Sequence, residues 1–421
     1  MSFNRSIRLI SQGGRRRAAL SALVGLAAVI AACGNSTRSS TPTTTAPAAA
    51  TTTTNVVSAA SSYAPWPMAL HDARHTGTAS ALGPQTGHLL WSSNLGSSVA
   101  IGPIVGSDGT IYAASADGVL FALDRATGKI RWQLAGSGPF TGSQDLSTSA
   151  LLLPSGDLLW PAPGGVLAEV SSRGVLIWSQ TMGGTVLSPV LVGTTAYVVT
   201  SNGDVSAVAL GGSRPMVIWT VHTGAASFGS PAIDGAGHVV TTAGKSLIAV
   251  QDHGASGSIV WSRKLHSDVE VSPSVDGGGN IYVTDNTGSA SSYTSSGDLR
   301  WSKAVGVESY SSSSVAPNGQ LVVGDNAGQI SLAAPATGAT VASYSVSHLG
   351  LWAAQAIDAR GDIYVGTQSG TIVGITPQGR VLFRIRAAGP FDHYPALTGD
   401  GVLIIGDRTG NLYAVGPAPQ V

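Results

Sequence analysis

Cysteine is almost missing: among 421 residues there is one, Cys33. No intrachain disulfide and no thiolate metal cluster can form. Charge is scarce at 10%, and aromatic residues make up 6%. The charges cancel, but five of the 22 basic residues fall within the first 33, which hold no acid. Everything after that point has 17 basic against 22 acidic residues, so it has no electrostatic reason to bind nucleic acid. Long amphipathic helical patterns are hard to find beyond residue 33. A G-x-S-x-G elbow and a phosphate-cradling G-x-x-x-x-G-K-[ST] loop are both missing, and the lone cysteine leaves no thiol nucleophile. Apolar runs are short. The longest, Ala18–Gly34 (AALSALVGLAAVIAACG), falls below the ~20 residues of a membrane helix.

What that run does have is a basic lead, Arg5 to Arg17, and the ending Ile30-Ala31-Ala32-Cys33. It resembles the bacterial lipoprotein cleavage box, in which the cysteine takes the lipid. Residues 1–33 are therefore expected to be a signal peptide with Cys33 as the lipidation site. The chain would be exported and anchored to the outer face of the cytoplasmic membrane, since multiple acyl chains hold where one is marginal. Arg15-Arg16 leaves twin-arginine export open beside the general route. Residues 34–62 are rich in Ser, Thr, Ala and Pro, with a single charge and no aromatic until Tyr63. Such a composition cannot bury enough surface to repay ordering, and reads as a tether.

Gly, at 55 residues, is abundant, which suits short strands and tight turns. From residue 63 to 421 the chain repeats. Aromatics recur at Trp91, Trp132, Trp178, Trp219, Trp261, Trp301, Tyr344 and Phe383, between 39 and 46 residues apart. A second phrase recurs eight times, as ASADGVLFAL, TSNGDVSAV, DNAGQISLA and finally DRTGNLYAV. Each unit holds four strand-like runs joined by Gly-, Asp- and Asn-containing turns. That is the period and content of a propeller blade. The last unit lacks its aromatic strand, while GHLLWSSNL (87–95) is an aromatic strand with no unit before it. Pairing the two closes the ring and removes exposed edges. The expected fold is all-β: an eight-bladed propeller of four-stranded antiparallel blades, with seven blades as the fallback.

LFALDRATGKIRW (120–132) is the sharpest unit, and Ala122, Asp124, Thr127, Gly128 and Trp132 fully match the motif A-x-D-x-x-T-G-x-x-x-W. The chain thereby resembles the quinoprotein-like, or PQQ-repeat, propellers. The resemblance covers roughly residues 66–416 and implies that the recurring aromatics dock between blades. Trp178→Ala is accordingly expected to cost ~3–5 kcal/mol. WPMALHDARHTG (66–77) resembles the lead-in of the same family. His71 and His75 stand four apart, a ligand spacing on a helix, but Pro67 and Gly77 argue for a loop. The acidic turns TDNTG, GDNAG and GDRTG read as turns before calcium sites, because no EF-hand-like spacing with a closing Glu follows.

The resemblance also raises an enzyme. Quinone-dependent members use pyrroloquinoline quinone with calcium, a catalytic Asp, a tryptophan under the quinone and often adjacent disulfide-bonded cysteines; the last is excluded here. No catalytic residue and no metal ligand is singled out, and no cofactor is expected. Other members bind a protein partner without a quinone, including the lipoprotein that assists β-barrel assembly in outer membranes. The expected function is therefore a non-catalytic, lipid-anchored binding or scaffold module. The alternative is a quinone-dependent dehydrogenase or another enzyme of envelope sugars or alcohols.

Binding would use the face carrying the inter-blade loops, where a rigid scaffold displays variable residues. The candidates in the first loops are Phe140 and Asp145, then His222. Next come His266 and Glu270, followed by Glu308 and Tyr310, then His348 and Trp352. The last loop offers Arg386, Phe391, Asp392, His393 and Tyr394. Exposed aromatics beside charge suit a partner surface, for a protein or an envelope glycan; the competing reading is that some of these aromatics plug the central channel. A monomer with no contact to the membrane beyond its anchor is expected.

Overall fold

The computed structural model describes residues 66–140, 148–212 and 214–418. The signal segment, Cys33, the tether and Asp145 lie outside them. The described chain forms eight four-stranded antiparallel sheets arranged as the blades of one ring. Blade 1 comprises Val99–Val105, Ile111–Ser115, Val119–Leu123 and Ile130–Ala135, from the axis outward. Blades 2 to 7 repeat this order. Blade 8 takes Ala396–Leu397, Leu403–Gly406 and Asn411–Gly416 from the end of the chain and its outermost strand, His88–Asn94, from the beginning. The closure expected from the sequence is therefore present. Two faces result. The loop face carries the inter-blade loops and the turns between second and third strands. The opposite face carries the other two turns of each blade.

The two middle strands of each blade are buried on both sides, which is why they read as continuous runs of Val, Ile, Leu and Ala. The outermost strands bury little besides the docking aromatic, as in Leu176–Thr181. Each outermost strand carries a β-bulge just before that position; Ala122 pairs with Trp132 and Leu123 with Ile130, leaving Arg131 unpaired. The indole of Trp132 then donates to Ser172 O in the next blade's turn at 2.9 Å. Trp91, Trp261 and Trp301 do the same with Arg125, Ser295 and Pro335. Trp219 donates to Asp252 Oδ1 at the same place, and Phe383 stacks on Tyr364 of its own blade.

Two aromatics depart from the pattern. Trp178 donates to Glu169 Oε2 of its own blade. Tyr344 is not at the docking register: Ala342 is, paired with Leu332, and Tyr344 lies two residues further along the same strand face. Its hydroxyl still reaches the next blade at Pro377 O, 3.0 Å away. The uneven sequence spacing around Tyr344 has this cause.

The lead-in is a loop, with positive φ at Leu70, His71 and His75. It runs around the axis on the opposite face in the order of the blades. The last residue of the innermost strand in blades 1, 2, 4, 5, 6 and 7 donates its N–H to this strap. Val105 reaches Trp66 O at 2.9 Å, Leu152 Pro67 O at 2.7 Å and Ile233 Ala73 O at 2.7 Å. Val275, Val315 and Ile357 reach Arg74, Thr76 and Gly77, each at 2.8 Å. Strands this short and this close to the axis would otherwise leave buried donors unpaired.

His75 is fully buried in that strap, with Nδ1 3.2 Å from Pro273 O, so the proton sits on Nδ1. Burial lowers its pKa to about 4 against the opposing pull of Asp72, and burial does the same to His393 beside Asp392 and Arg408. A depressed histidine pKa means that the unfolded chain binds the proton first. Stability is therefore complete above the ordinary value of 6.5 and falls as pH drops from there toward 4. At ~1.4 kcal/mol per unit, each ring contributes up to about 3 kcal/mol to that loss. Urea unfolding at pH 7 and pH 4.5 measures it; equal midpoints would show that neither ring is held neutral.

Candidate functional site

Repeat register decides which loop residues look outward. Ser227, Val269, Ser309, Leu351 and Phe391 occupy equivalent positions, and all are buried. The residue after each one is less buried at Phe228, Glu270, Tyr310 and Trp352, whereas Asp392 stays buried under its ion pair with Arg408. Three positions beyond the buried residue, the chain turns down along the axis at Ser230, Ser272, Ser312, Ala354 and Tyr394, with Ser188 the counterpart in blade 3. There Ser188 N–H donates to Ser230 Oγ at 3.1 Å, Ser230 N–H to Ser272 Oγ at 2.9 Å, and Ser272 N–H to Ser312 Oγ at 3.0 Å.

This corrects four of the expected surface residues, Asp392 among them at 7% exposed. Phe391 is 0% exposed and packs on Tyr413, with ring centroids 6.1 Å apart. His393 is buried beside it in sequence. Tyr394, 5% exposed, fills the axis against Ala69, Leu70 and Ala354. Gly102 makes the room, since a Cβ there would run into the Tyr394 ring. The remaining candidates divide. Phe140 lines a separate cavity of about 250 Å³ with Pro163 and Gly184. His222 is exposed and bonds Asp204 at 2.7 Å. His266, Glu270 and His348 are exposed on their loops, and Arg386 is exposed at the end of the outermost strand of blade 7, Val381–Arg386.

Four candidates are brought together across blades 5 to 8. The Tyr310 hydroxyl donates to Glu308 Oε1 at 2.7 Å, and Asn326 Nδ2 donates to Glu308 Oε2 at 2.9 Å. The Trp352 indole donates to Asn326 Oδ1 at 2.7 Å and meets the Tyr310 ring edge-on at 6.3 Å. The Arg408 guanidinium lies over the Trp352 ring, 4.9 Å from its centroid, and is ion-paired with Asp392. Gln368 Nε2 holds the other Asp392 oxygen at 2.7 Å.

Asn326, Gln368 and Arg408 were not anticipated. They occupy the same place in successive turns, the residue after Asp325, Thr367 and Asp407. Blade 1 has Ala116 there and blade 3 has Ser201. A polar side chain long enough to reach the neighbouring loop was the available signal, hidden by reading these phrases only as turns. The turn reading of the acids themselves stands: Asp325 Oδ1 accepts the N–H of Ala327 and Gln329, and Asp407 Oδ1 those of Thr409 and Asn411.

Hydrogen bonds from Tyr310 and Asn326 keep the Glu308 carboxyl below its usual range. The same contact with Glu308, with burial, pushes the Tyr310 phenol up to about 12. Glu308 and Tyr310 thus keep fixed protonation states near neutrality, and the half-exposed Trp352 is braced from three sides.

A quinone held on calcium needs a flat aromatic facing convergent oxygen donors. Here the axis is lined by serine hydroxyls and filled by Tyr394 on Leu70. Among the described residues no three His, Cys, Asp or Glu side chains converge as ligands. These residues do not fit that group.

A family model described as outer membrane protein assembly factor BamB matches residues 75–215 and again 216–350. Among solved structures, BamB from Moraxella catarrhalis is similar at 16% identity and a TM-score of 0.62, covering 79% of this chain and 100% of its own. Quinohemoprotein alcohol dehydrogenase from Comamonas testosteroni is similar at 14% identity and 0.65, covering 85% and 82%. A europium-containing methanol dehydrogenase is similar at 12% identity and 0.62, covering 84% and 98%. At these identities the structures share the fold. No curated protein matches the chain in sequence.

Proposed function

Because the chain belongs to the PQQ-repeat family whose model is described as outer membrane protein assembly factor BamB, we propose that it is a non-catalytic scaffold of the cell envelope that holds a protein partner on its loop face. The observation that carries this reading is the braced patch of Glu308, Tyr310, Trp352 and Arg408, drawn from adjoining blades. Its side chains are already ordered, so a partner loses less entropy on docking there. Tryptophan and arginine are the residues that most often dominate such contacts. The strap supports the same orientation. The chain enters the ring at Trp66 on the opposite face, away from the patch.

Trp352→Ala is expected to weaken partner binding about 30-fold, the effect of losing a ~2 kcal/mol hot-spot aromatic. Arg408→Glu should match it, and His222→Ala, far from the patch, should not. Site-specific photocrosslinking from position 348 in the native envelope would identify the partner, and titration of that partner against the three variants reads the affinities. Unchanged binding in both patch variants would remove the patch from the interface. Saturable binding of pyrroloquinoline quinone with calcium, followed by dye reduction with an alcohol or sugar, would overturn the non-catalytic reading.

A further inference from the structure

The outer edge of the ring holds a surface that neither the core nor the loop face uses. Each outermost strand begins beside the opposite face, and its first residues are exposed. Their apolar content is uneven. Blade 2 exposes Val175, Leu176 and Ile177, with Val175 at 62%. Blade 3 follows with Met216, at 60%, and Val217, and blade 4 with Ile259 and Val260. Blade 8 exposes two such residues, and blades 1, 5, 6 and 7 one each. Three neighbouring blades thus form an apolar arc on one side of the rim.

Charge around the arc is sorted. Arg173 and Arg214 are exposed in the turns that lead into the strands of blades 2 and 3. The acids of the same region are partly exposed and taken up by hydrogen bonds within the protein: Asp157 accepts Ser172 N–H, Glu169 the Trp178 indole, and Asp252 the Tyr197 hydroxyl and Trp219 indole. Apolar side chains flanked by outward arginines are the composition of an interfacial lipid-binding surface, whose strength grows with apolar area and with anionic lipid. The arc also shares its face with Trp66, where the preceding 65 residues join the ring. Those residues include the apolar run Ala18–Gly34 and Cys33.

We propose that the arc of blades 2 to 4 rests on an anionic lipid surface, with Arg173 and Arg214 at the level of the phosphates, so that the ring is tilted onto this side. This rests on the reading that the segment before Trp66 anchors the chain. The test uses the full chain with vesicles of phosphatidylglycerol and phosphatidylcholine. An environment-sensitive fluorescent amino acid replaces Ile177, Val217 or Val260 in turn, with Val381 on the far side of the rim and His348 on the loop face as controls. The expected result is flotation with the vesicles, blue-shifted emission and quenching by a lipid-borne quencher at the first three positions, and aqueous emission at the two controls. Arg173→Glu with Arg214→Glu should shift the three positions back toward aqueous emission. Flotation with aqueous emission everywhere overturns the arc and leaves the anchor standing. Failure to float overturns both. A blue shift that needs no vesicles and grows with protein concentration assigns the arc to a second copy of the chain instead.

Discussion

Trp301→Ala is expected to lower the unfolding free energy by about 3–5 kcal/mol, the range for removing a buried aromatic. Trp301 is almost fully buried between blades 5 and 6. Its indole donates to Pro335 O at 2.9 Å, and its ring lies 5.9 Å from that of Tyr282. Gly338 of the next blade leaves no room for a side chain over that ring. Truncation therefore removes apolar contact, a hydrogen bond across blades and the wedge that sets their spacing. Trp178→Ala makes the comparison. Its indole bonds to Glu169 within blade 2, so its loss should cost less than that of Trp301, although it strips a partner from a carboxyl whose pKa burial already raises. Urea unfolding of both variants gives the order. Equal or reversed costs would show that the contact across blades contributes nothing.

The ring was legible because its information repeats. Gly and Asp recur at the same turns, and a strand with no unit before it matches a unit with no last strand. The site was only partly legible, for a reason of register. Phe391, Asp392, His393 and Tyr394 are consecutive residues of one loop, and loop residues read as surface. Yet Tyr394-Pro395 is the counterpart of Ser188-Pro189, Ser230-Pro231 and Ser272-Pro273, which line the axis. Aligning the last unit with those three on the proline would have sent Tyr394 inward. Tyr344 shows the opposite error: its aromatic character was visible, but the bulge that puts Ala342 at the docking register was not. Burial within a loop is fixed by the strand it leads into, and single-residue register is what a chain read without its pairing lacks.

Gly77→Val is the substitution expected to damage the ring most for its size. Gly77 has φ +67°, and a Cβ there would lie 2.5 Å from Ser314 Oγ and 2.9 Å from Gln355 O. The backbone oxygen cannot step aside without moving the innermost strand of blade 7. A β-branched residue in this conformation costs ~1–3 kcal/mol in strain alone. Displacing the strap then strands the N–H groups of Val315 and Ile357, which bond Thr76 and Gly77 at 2.8 Å; each buried orphan adds ~1–3 kcal/mol. The expected loss is about 3 kcal/mol or more, taking the low end of each contribution because they overlap. Gly96→Val isolates the strain. Gly96 has φ +88°, and a Cβ added there meets nothing within 4 Å. If the strap is what draws the innermost strands together, Gly77→Val must unfold at clearly lower urea than Gly96→Val. It must also unfold faster, since the strap touches six blades that otherwise meet only their neighbours. Matching midpoints and rates for the two variants would reduce the lead-in to a connector, and the ring would then stand on its docking aromatics and closing strand alone.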